Sequence, residues 1–207
     1  VVVLTNGRPL STEWISANVA ALVEAWEPGS LGGLAVAEVL YGRVNPSGRM
    51  PISVPRHSGQ IPVYYNHKFT HHWFRYATGD SSPLYEFGYG LSYTTFEYGD
   101  VELSSATMAP DGQLTASVSL TNTGGVAGTE VVQLYLRDKV SSATRPVKEL
   151  KDFRRVTLAP GESVRVEFTL TPDKLAYYDA KMHYGVEPGD FEVMIGTNSR
   201  DVKTARF

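Results

Sequence analysis

The chain has 207 residues, a hydrophobic content of 42%, no cysteine and a formal net charge of -3, which suits one large or two ordinary folded domains. Its 19 Lys and Arg fall short of its 22 Asp and Glu, and this excludes nucleic acid as a partner, because neutralising phosphates needs a basic surface. The lack of cysteine excludes a disulfide framework and a thiolate metal site, and no apolar run reaches the roughly 18 residues that span a bilayer.

The first residues, "VVVL", are a β-branched apolar run followed by a polar turn, the pattern of a buried strand. No basic region precedes them as a signal peptide requires, so any export signal is expected outside these residues. The run "ANVAALVEAW" reads two ways. Ile15, Val19, Leu22 and Trp26 have helical spacing, yet the run is short and apolar enough for a buried strand, and periodicity leaves the choice open. Ser30 is placed to N-cap a helix carrying Leu34, Val36, Ala37, Val39 and Leu40, with Gly42 at the left-handed position that stops it. "NPSGRMP" predicts a tight turn, since Pro46 fixes φ and Gly48 is permissive, before "MPISV" extends. Residues 1–56 thus read as part of an α/β sandwich with an incomplete parallel sheet. Two or three strands cannot cover both faces of such a sheet, and a segment this short is marginal as a core.

Residues 57–99 carry scattered Pro, Gly and His, with eleven Tyr, Trp or Phe between His57 and Glu97 and no sustained period. A stretch of this length and kind is a lid, a docking strap or an interdomain linker, and its aromatics imply that it is pinned down. From residue 100 alternation becomes clear: Leu114, Ala116, Val118 and Leu120 interleave with polar residues, as do Val164, Val166, Phe168 and Leu170. Further strands are readable over 130–137, 150–158, 191–196 and 202–207, separated by "NTGG", "APGE" and "EPGD". About seven strands in roughly 100 residues predict a fibronectin type III-like, immunoglobulin-like β sandwich over 100–207.

The motifs "NPSGRMPISVP", "GQIPVYY", "PLYEFGYGLSYTTF", "VVQLYL", "RPVKELKDF" and "EPGDFEVMIG", in this order, resemble the C-terminal part of a glycoside hydrolase family 3 enzyme of the periplasmic bacterial β-glucosidase type. The resemblance implies a C-terminal fragment: the end of the αβα sandwich domain over 1–56, an aromatic-rich connection over 57–99, and the fibronectin-like domain. It implies a parallel strand after a short helix in "VAALVEAW". It also implies that both catalytic carboxylates lie outside this chain, so no catalytic residue is assigned and the chain alone is expected to be inactive. The partners implied are the N-terminal part of the enzyme, a β-glucoside or oligosaccharide, and a homodimer of the whole enzyme; the location implied is periplasmic or secreted. No cofactor or metal is expected. Two departures stand out: Thr78 occupies a position where relatives carry Asp, and Glu86 one where Pro is commoner.

Retaining glycoside hydrolysis needs two carboxyl groups about 5 Å apart, and Glu24, Glu27 and Glu38 are read instead as solvated or capping residues. His71 and His72 are adjacent and do not converge on one metal as an i, i+4 pair does. Trp73, Phe74, Arg75 and Tyr76 are the candidate substrate-binding residues at the rim of a sugar pocket, because aromatic faces stack on sugar faces and Arg donates to hydroxyls. Packing of this loop onto the rest of the enzyme is the competing role. Tyr85, Phe87, Tyr89 and Tyr93 are read as anchors of the strap, with Gly88 and Gly90 allowing tight backbone. A stand-alone module binding carbohydrate or protein is the alternative to an enzyme part.

Overall fold

The computed structural model describes residues 1–69 and 79–207; Trp73, Phe74, Arg75, Tyr76, His71, His72 and Thr78 lie outside the described residues. The opening valines form β1 (Val2–Leu4), followed by α1 (Glu13–Asn18) and β2 (Leu22–Glu24). β2 lies parallel to β1 with Val3 opposite Val23, so the ambiguous run divides into a short helix and a strand. The division falls at Asn18, whose Nδ2 donates to the Trp14 carbonyl 2.8 Å away before Val19 turns extended.

The next helix, α2 (Gly32–Leu40), begins after Leu31 and not after Ser30, and no side chain caps it. Gly29 turns the chain at φ 71° and accepts from the Gly32 amide at 3.1 Å, which moves the helix start one residue on. Gly42 ends the helix at φ 73°.

The tight turn expected at residues 45–51 does not form. Their polar groups pair with distant chain: Asn45 Oδ1 accepts from the Tyr93 amide at 2.8 Å and its Nδ2 donates to the Ala127 carbonyl at 3.0 Å. The Met50 amide donates to the Tyr89 carbonyl at 2.8 Å. With these bonds available, the segment has no need to close on itself.

No residue of β1, α1 or β2 is buried, and Trp14, Leu31, Leu34 and Tyr41 are exposed. The α/β segment therefore has its strands and helices but no core of its own.

The sandwich comprises β3 (Phe96–Tyr98), β4 (Glu102–Leu103), β5 (Leu114–Asn122), β6 (Gly128–Asp138), β7 (Glu149–Leu158), β8 (Ser163–Leu170), and, after a short α3 (Pro172–Leu175) and a small hairpin of β9 (Tyr177–Tyr178) with β10 (Tyr184–Gly185), β11 (Phe191–Gly196) and β12 (Val202–Arg206). One sheet has the order β12-β11-β6-β7; in the other, β3 and β4 share one edge of β5 and β8 takes the opposite edge. The strand Phe96–Tyr98 pairs with β5, so the last residues of the aromatic stretch join the sandwich. Leu114, Leu120, Leu134, Phe168, Leu170, Val193 and Ile195 fill the space between the sheets. Tyr177 is buried against this body, while Tyr178 is exposed and meets only the tilted ring of Tyr184, 4.9 Å away, among the ring contacts of the described residues.

α3 is tied to β7 by Lys174, whose Nζ is 2.7 Å from Asp152 Oδ2. Burial alone would raise the Asp152 carboxyl, but the Lys174 hydrogen bond, the Phe153 amide and Arg154 outweigh it and hold the group below the usual range. A carboxyl lowered by folding contributes stability above its unfolded value of about 3.9 and loses it as pH falls through the lowered folded value. Asp152→Asn is therefore expected to cost about 1 kcal/mol at pH 7. In urea unfolding, the gap between variant and parent should shrink steadily below about pH 4; a gap independent of pH would count against the ion pair as its cause.

Candidate functional site

Residues 57–69 and 79–93 flank the segment that carries Trp73 to Tyr76, and both flanks are clamped. On the incoming side Tyr65 stacks on Phe87 with ring centroids 4.3 Å apart and meets Tyr135 of β6 edge-on at 5.7 Å. Its hydroxyl accepts from the Leu150 amide of β7 at 3.1 Å. Two residues later the His67 carbonyl accepts from the Val147 amide at 2.9 Å, and Lys68 bridges to Pro146.

On the outgoing side the buried Gln60 is the fastener. Its Nε2 donates to the Ser81 and Ser82 carbonyls at 2.8 and 2.9 Å, and its Oε1 accepts from the Arg56 amide at 2.8 Å. Arg56 Nε also donates to the Ser82 carbonyl at 3.0 Å. The Asp80 carboxyl is lowered by the Ser82 hydroxyl and amide, helped by Arg56. The strap then returns along residues 50–54: the Val54 amide donates to Tyr85 and the Leu84 amide to Val54, at 2.9 and 2.7 Å. Tyr85 stacks on Tyr89 at 5.3 Å and shares a 2.6 Å hydrogen bond with Ser16 of α1, so one aromatic joins the α/β segment to the strap. Tyr93 donates to the Val39 carbonyl of α2 at 2.7 Å.

The strap docks on the outer face of the β6 sheet through a polar lock at Gln133. Gln133 Nε2 donates to the carbonyls of Gly88 and Thr197 at 3.2 and 2.6 Å, while Oε1 accepts from the Tyr135 hydroxyl at 2.5 Å. Gly88 sits at φ 81°, and a Cβ there would fall 2.0 Å from Gln133 Oε1. A second lock, Arg49 on Glu130, ties residues 45–51 to β6 on the side that faces the other sheet. Burial pushes the Tyr98 phenol beside Glu130 well above the usual tyrosine value, and the carboxylate adds to the effect. Burial likewise raises the Glu86 carboxyl, with Arg200 and Lys148 opposing it; Arg200 Nη1 lies 3.7 Å from Glu86, an interaction a proline at this position would lack.

The buried carboxylates among the described residues are each met by cations. The two buried carboxylates are Glu130 and Glu192; Arg49 holds the first, and Arg206, Arg137 and Lys139 hold the second at 3.0, 3.5 and 3.5 Å. Glu24 accepts from Asn6 and from the Trp26 amide, which braces the turn after β2. No group of three metal-ligating side chains occurs among the described residues. The clamps Gln60, Tyr65, Arg49 and Gln133 sit inside the motifs quoted above, but nothing local gives them their role, because each acts on groups tens of residues away.

Residues 1–93 match the glycosyl hydrolase family 3 C-terminal domain and residues 130–199 the fibronectin type III-like domain. The periplasmic beta-glucosidase of Salmonella typhimurium is 48% identical over the whole chain, which covers 28% of that protein. A putative beta-xylosidase of Formosa agariphila is 42% identical, again over the whole chain and 27% of the relative. Among solved structures, a β-glucosidase from Erythrobacter marinus superposes with a TM-score of 0.95 at 44% identity, covering 99% of this chain and 27% of that one. The beta-glucosidase from Listeria innocua in complex with gluconolactone gives 0.94 at 38% identity, over 99% of this chain and 30% of that one. The chain thus spans little more than a quarter of the length of these relatives. With the sandwich, the parallel β1–β2 pair and the intervening strap all matched in order, the chain belongs to glycoside hydrolase family 3, as the C-terminal part of such an enzyme.

Proposed function

We propose that the chain serves a retaining exo-β-glycosidase that releases terminal β-D-glucosyl residues, with both catalytic carboxylates supplied by sequence outside residues 1–207. The observation that carries this reading is the clamped strap: the scaffold spends its aromatic and polar contacts on fixing both roots of one short segment. That segment bears Trp73, Phe74, Arg75 and Tyr76, which stack on and hydrogen-bond the bound sugar. The chain's own work is structural. It completes the α/β sheet with the rest of the enzyme and holds the loop at the pocket rim. A periplasmic or secreted location and a homodimer of the whole enzyme belong to the same reading, and no cofactor enters it.

The test is an assay of the 207-residue chain, alone and joined to the upstream part that its relatives carry, on aryl β-glucoside and aryl β-xyloside. The joined protein should cleave the glucoside faster and with retention, and the chain alone should be inactive; turnover by the chain alone would overturn the assignment of the chemistry. In the joined protein Trp73→Ala should raise KM for the glucoside about three- to tenfold, the worth of one aromatic stacking contact, with kcat little changed. An unaltered KM would leave the loop with packing as its only role.

A further inference from the structure

The small hairpin of β9 and β10 holds large side chains in water on a braced support. Tyr177 roots it: the ring is buried, Arg145 Cζ lies 4.5 Å from its centroid, and its hydroxyl shares a 3.1 Å hydrogen bond with Ser142. Alternation along the strand puts Tyr178 on the opposite face, directly across the ladder from Tyr184. These two rings are 59% and 55% exposed, and Met182 at the tip is 72% exposed. Asp179 fixes the tip. Its Oδ1 accepts from the Lys181 and His183 amides at 2.7 and 2.9 Å, its amide donates to the His183 carbonyl, and its carbonyl accepts from the Met182 amide, both at 3.0 Å. Met182 takes φ 64° in this turn, a left-handed conformation that is costly for a residue with a Cβ. Such strain persists where the surroundings over-determine it, and it clusters at ligand-contacting positions.

Size and charge decide what this surface suits. The exposed parts of the three side chains amount to about 300–400 Å², the size of a functional patch but well short of the roughly 800 Å² that each partner buries in a stable protein interface. A second copy or another protein would need much more surface than this. The charges favour neither sign. His183 lies 3.5 Å from Asp179, Arg145 pairs with Glu149, and Lys174 of the neighbouring α3 pairs with Asp152; the other charged groups of residues 172–187 are Asp173, Lys181 and Glu187. Neither the Tyr178 nor the Tyr184 hydroxyl has a hydrogen-bond partner among the described residues. Two exposed rings, each with an apolar body and a polar tip, suit a neutral ligand with apolar C–H faces and hydroxyl rims, which is a saccharide. The position agrees. The connection from β6 to β7 that carries Ser142 and Arg145 also carries Pro146 and Val147, which hold Lys68 and His67 at one root of the segment bearing Trp73 to Tyr76.

We propose that Tyr178 and Tyr184 form a stacking platform for a neutral β-linked gluco-oligosaccharide, with Met182 extending its apolar surface. The choice of glucosyl units rests on the glycosidase reading above; the platform itself rests on the hairpin.

The test is amide shift mapping of the 207-residue chain with thio-linked cellotetraose, whose sulfur linkages resist hydrolysis, so that binding is read apart from activity. Saturable shifts centred on residues 176–186, with a dissociation constant of about 1 mM, are expected for two stacking contacts. Tyr178→Ala and Tyr184→Ala should each weaken binding about three- to tenfold, and the double variant should abolish it while the β5 and β6 amides keep their positions. Tyr178→Trp should bind at least as tightly as the parent, which a purely structural role for the ring would not give. In the joined protein the same ligand should slow hydrogen exchange over residues 176–186. Four results would overturn the proposal: no saturable shift, shifts unchanged in the double variant, shifts at these amides that grow with protein concentration without sugar, as for a second copy, or no sugar-dependent protection in the joined protein, as for a patch covered by its upstream part. A failure of the activity reading shows instead as absent glucoside turnover by the joined protein, and leaves these binding measurements as they stand.

Discussion

Arg49→Met should lower the unfolding free energy of the chain by about 3–5 kcal/mol, the cost of stranding a buried charge. Arg49 Nη2 lies 2.7 and 2.8 Å from the two oxygens of Glu130, and the side chains are only 8% and 3% exposed. Glu130 also accepts from the Val131 amide at 2.8 Å, and the Tyr98 phenol stands beside it, but none of these neighbours brings a positive charge. Without Arg49 the buried carboxylate has no cation to meet it. The double variant Arg49→Met, Glu130→Leu should recover most of the loss, because it removes both desolvation costs together. Urea unfolding of the three proteins separates the cases. A single variant within about 1 kcal/mol of the parent would mean that the pair is effectively solvated.

Gln133→Leu should cost about 3 kcal/mol, the second largest effect, for a different reason. Leucine has a similar size, so packing changes little, but three buried partners lose their hydrogen bonds: the Gly88 and Thr197 carbonyls and the Tyr135 hydroxyl. An unmet buried polar group costs about 1–3 kcal/mol, and some of the three will find water. The damage should localise. The Gly88 amide, bonded to Met50, and the Ser199 amide, bonded to the Phe87 carbonyl, should exchange faster with solvent, while the β5 and β8 amides stay protected. Uniform loss of protection would show that the strap and the sandwich open as one unit. Gly88→Ala should act in the same direction through steric conflict, since its Cβ would meet the Gln133 side chain at a backbone φ of 81°.

Much of the fold is legible along the chain because its strands are of two readable kinds. β5 and β8 alternate, and their burial alternates with them in β8, since one face of that sheet meets the core and the other meets water. β6 differs: every residue from Val132 to Leu136 is buried. Val132, Leu134 and Leu136 face the other sheet, while Gln133 and Tyr135 face the strap. The run "VVQLYL" marks a strand covered on both sides, but what covers the second side lies some 45 to 70 residues away in Tyr65 and Phe87. For the same reason the turn-like composition of residues 45–51 misleads. Pro46 and Gly48 permit a turn, yet Asn45, Arg49 and Met50 find their partners on three other segments. The candidate sugar-contacting residues were chosen by residue type, and what the structure adds is the clamp at each root of their segment.

By itself, then, the sequence determined the β sandwich and the positions of β5 to β8, β11 and β12, the first strand, the helix stop at Gly42, and the presence of an α/β segment too small to cover its own sheet. These follow from periodicity, backbone preference and size, which are properties of neighbouring residues. The strand over Leu22–Glu24, which periodicity left open, was implied by the family resemblance; only the tertiary structure decided the path of residues 45–51, the double burial of β6, and the Arg49–Glu130 and Gln133 locks. Each of these depends on groups far apart in sequence meeting where water is excluded. The free energy of such a meeting depends on burial and partner geometry, neither of which is present in the local pattern.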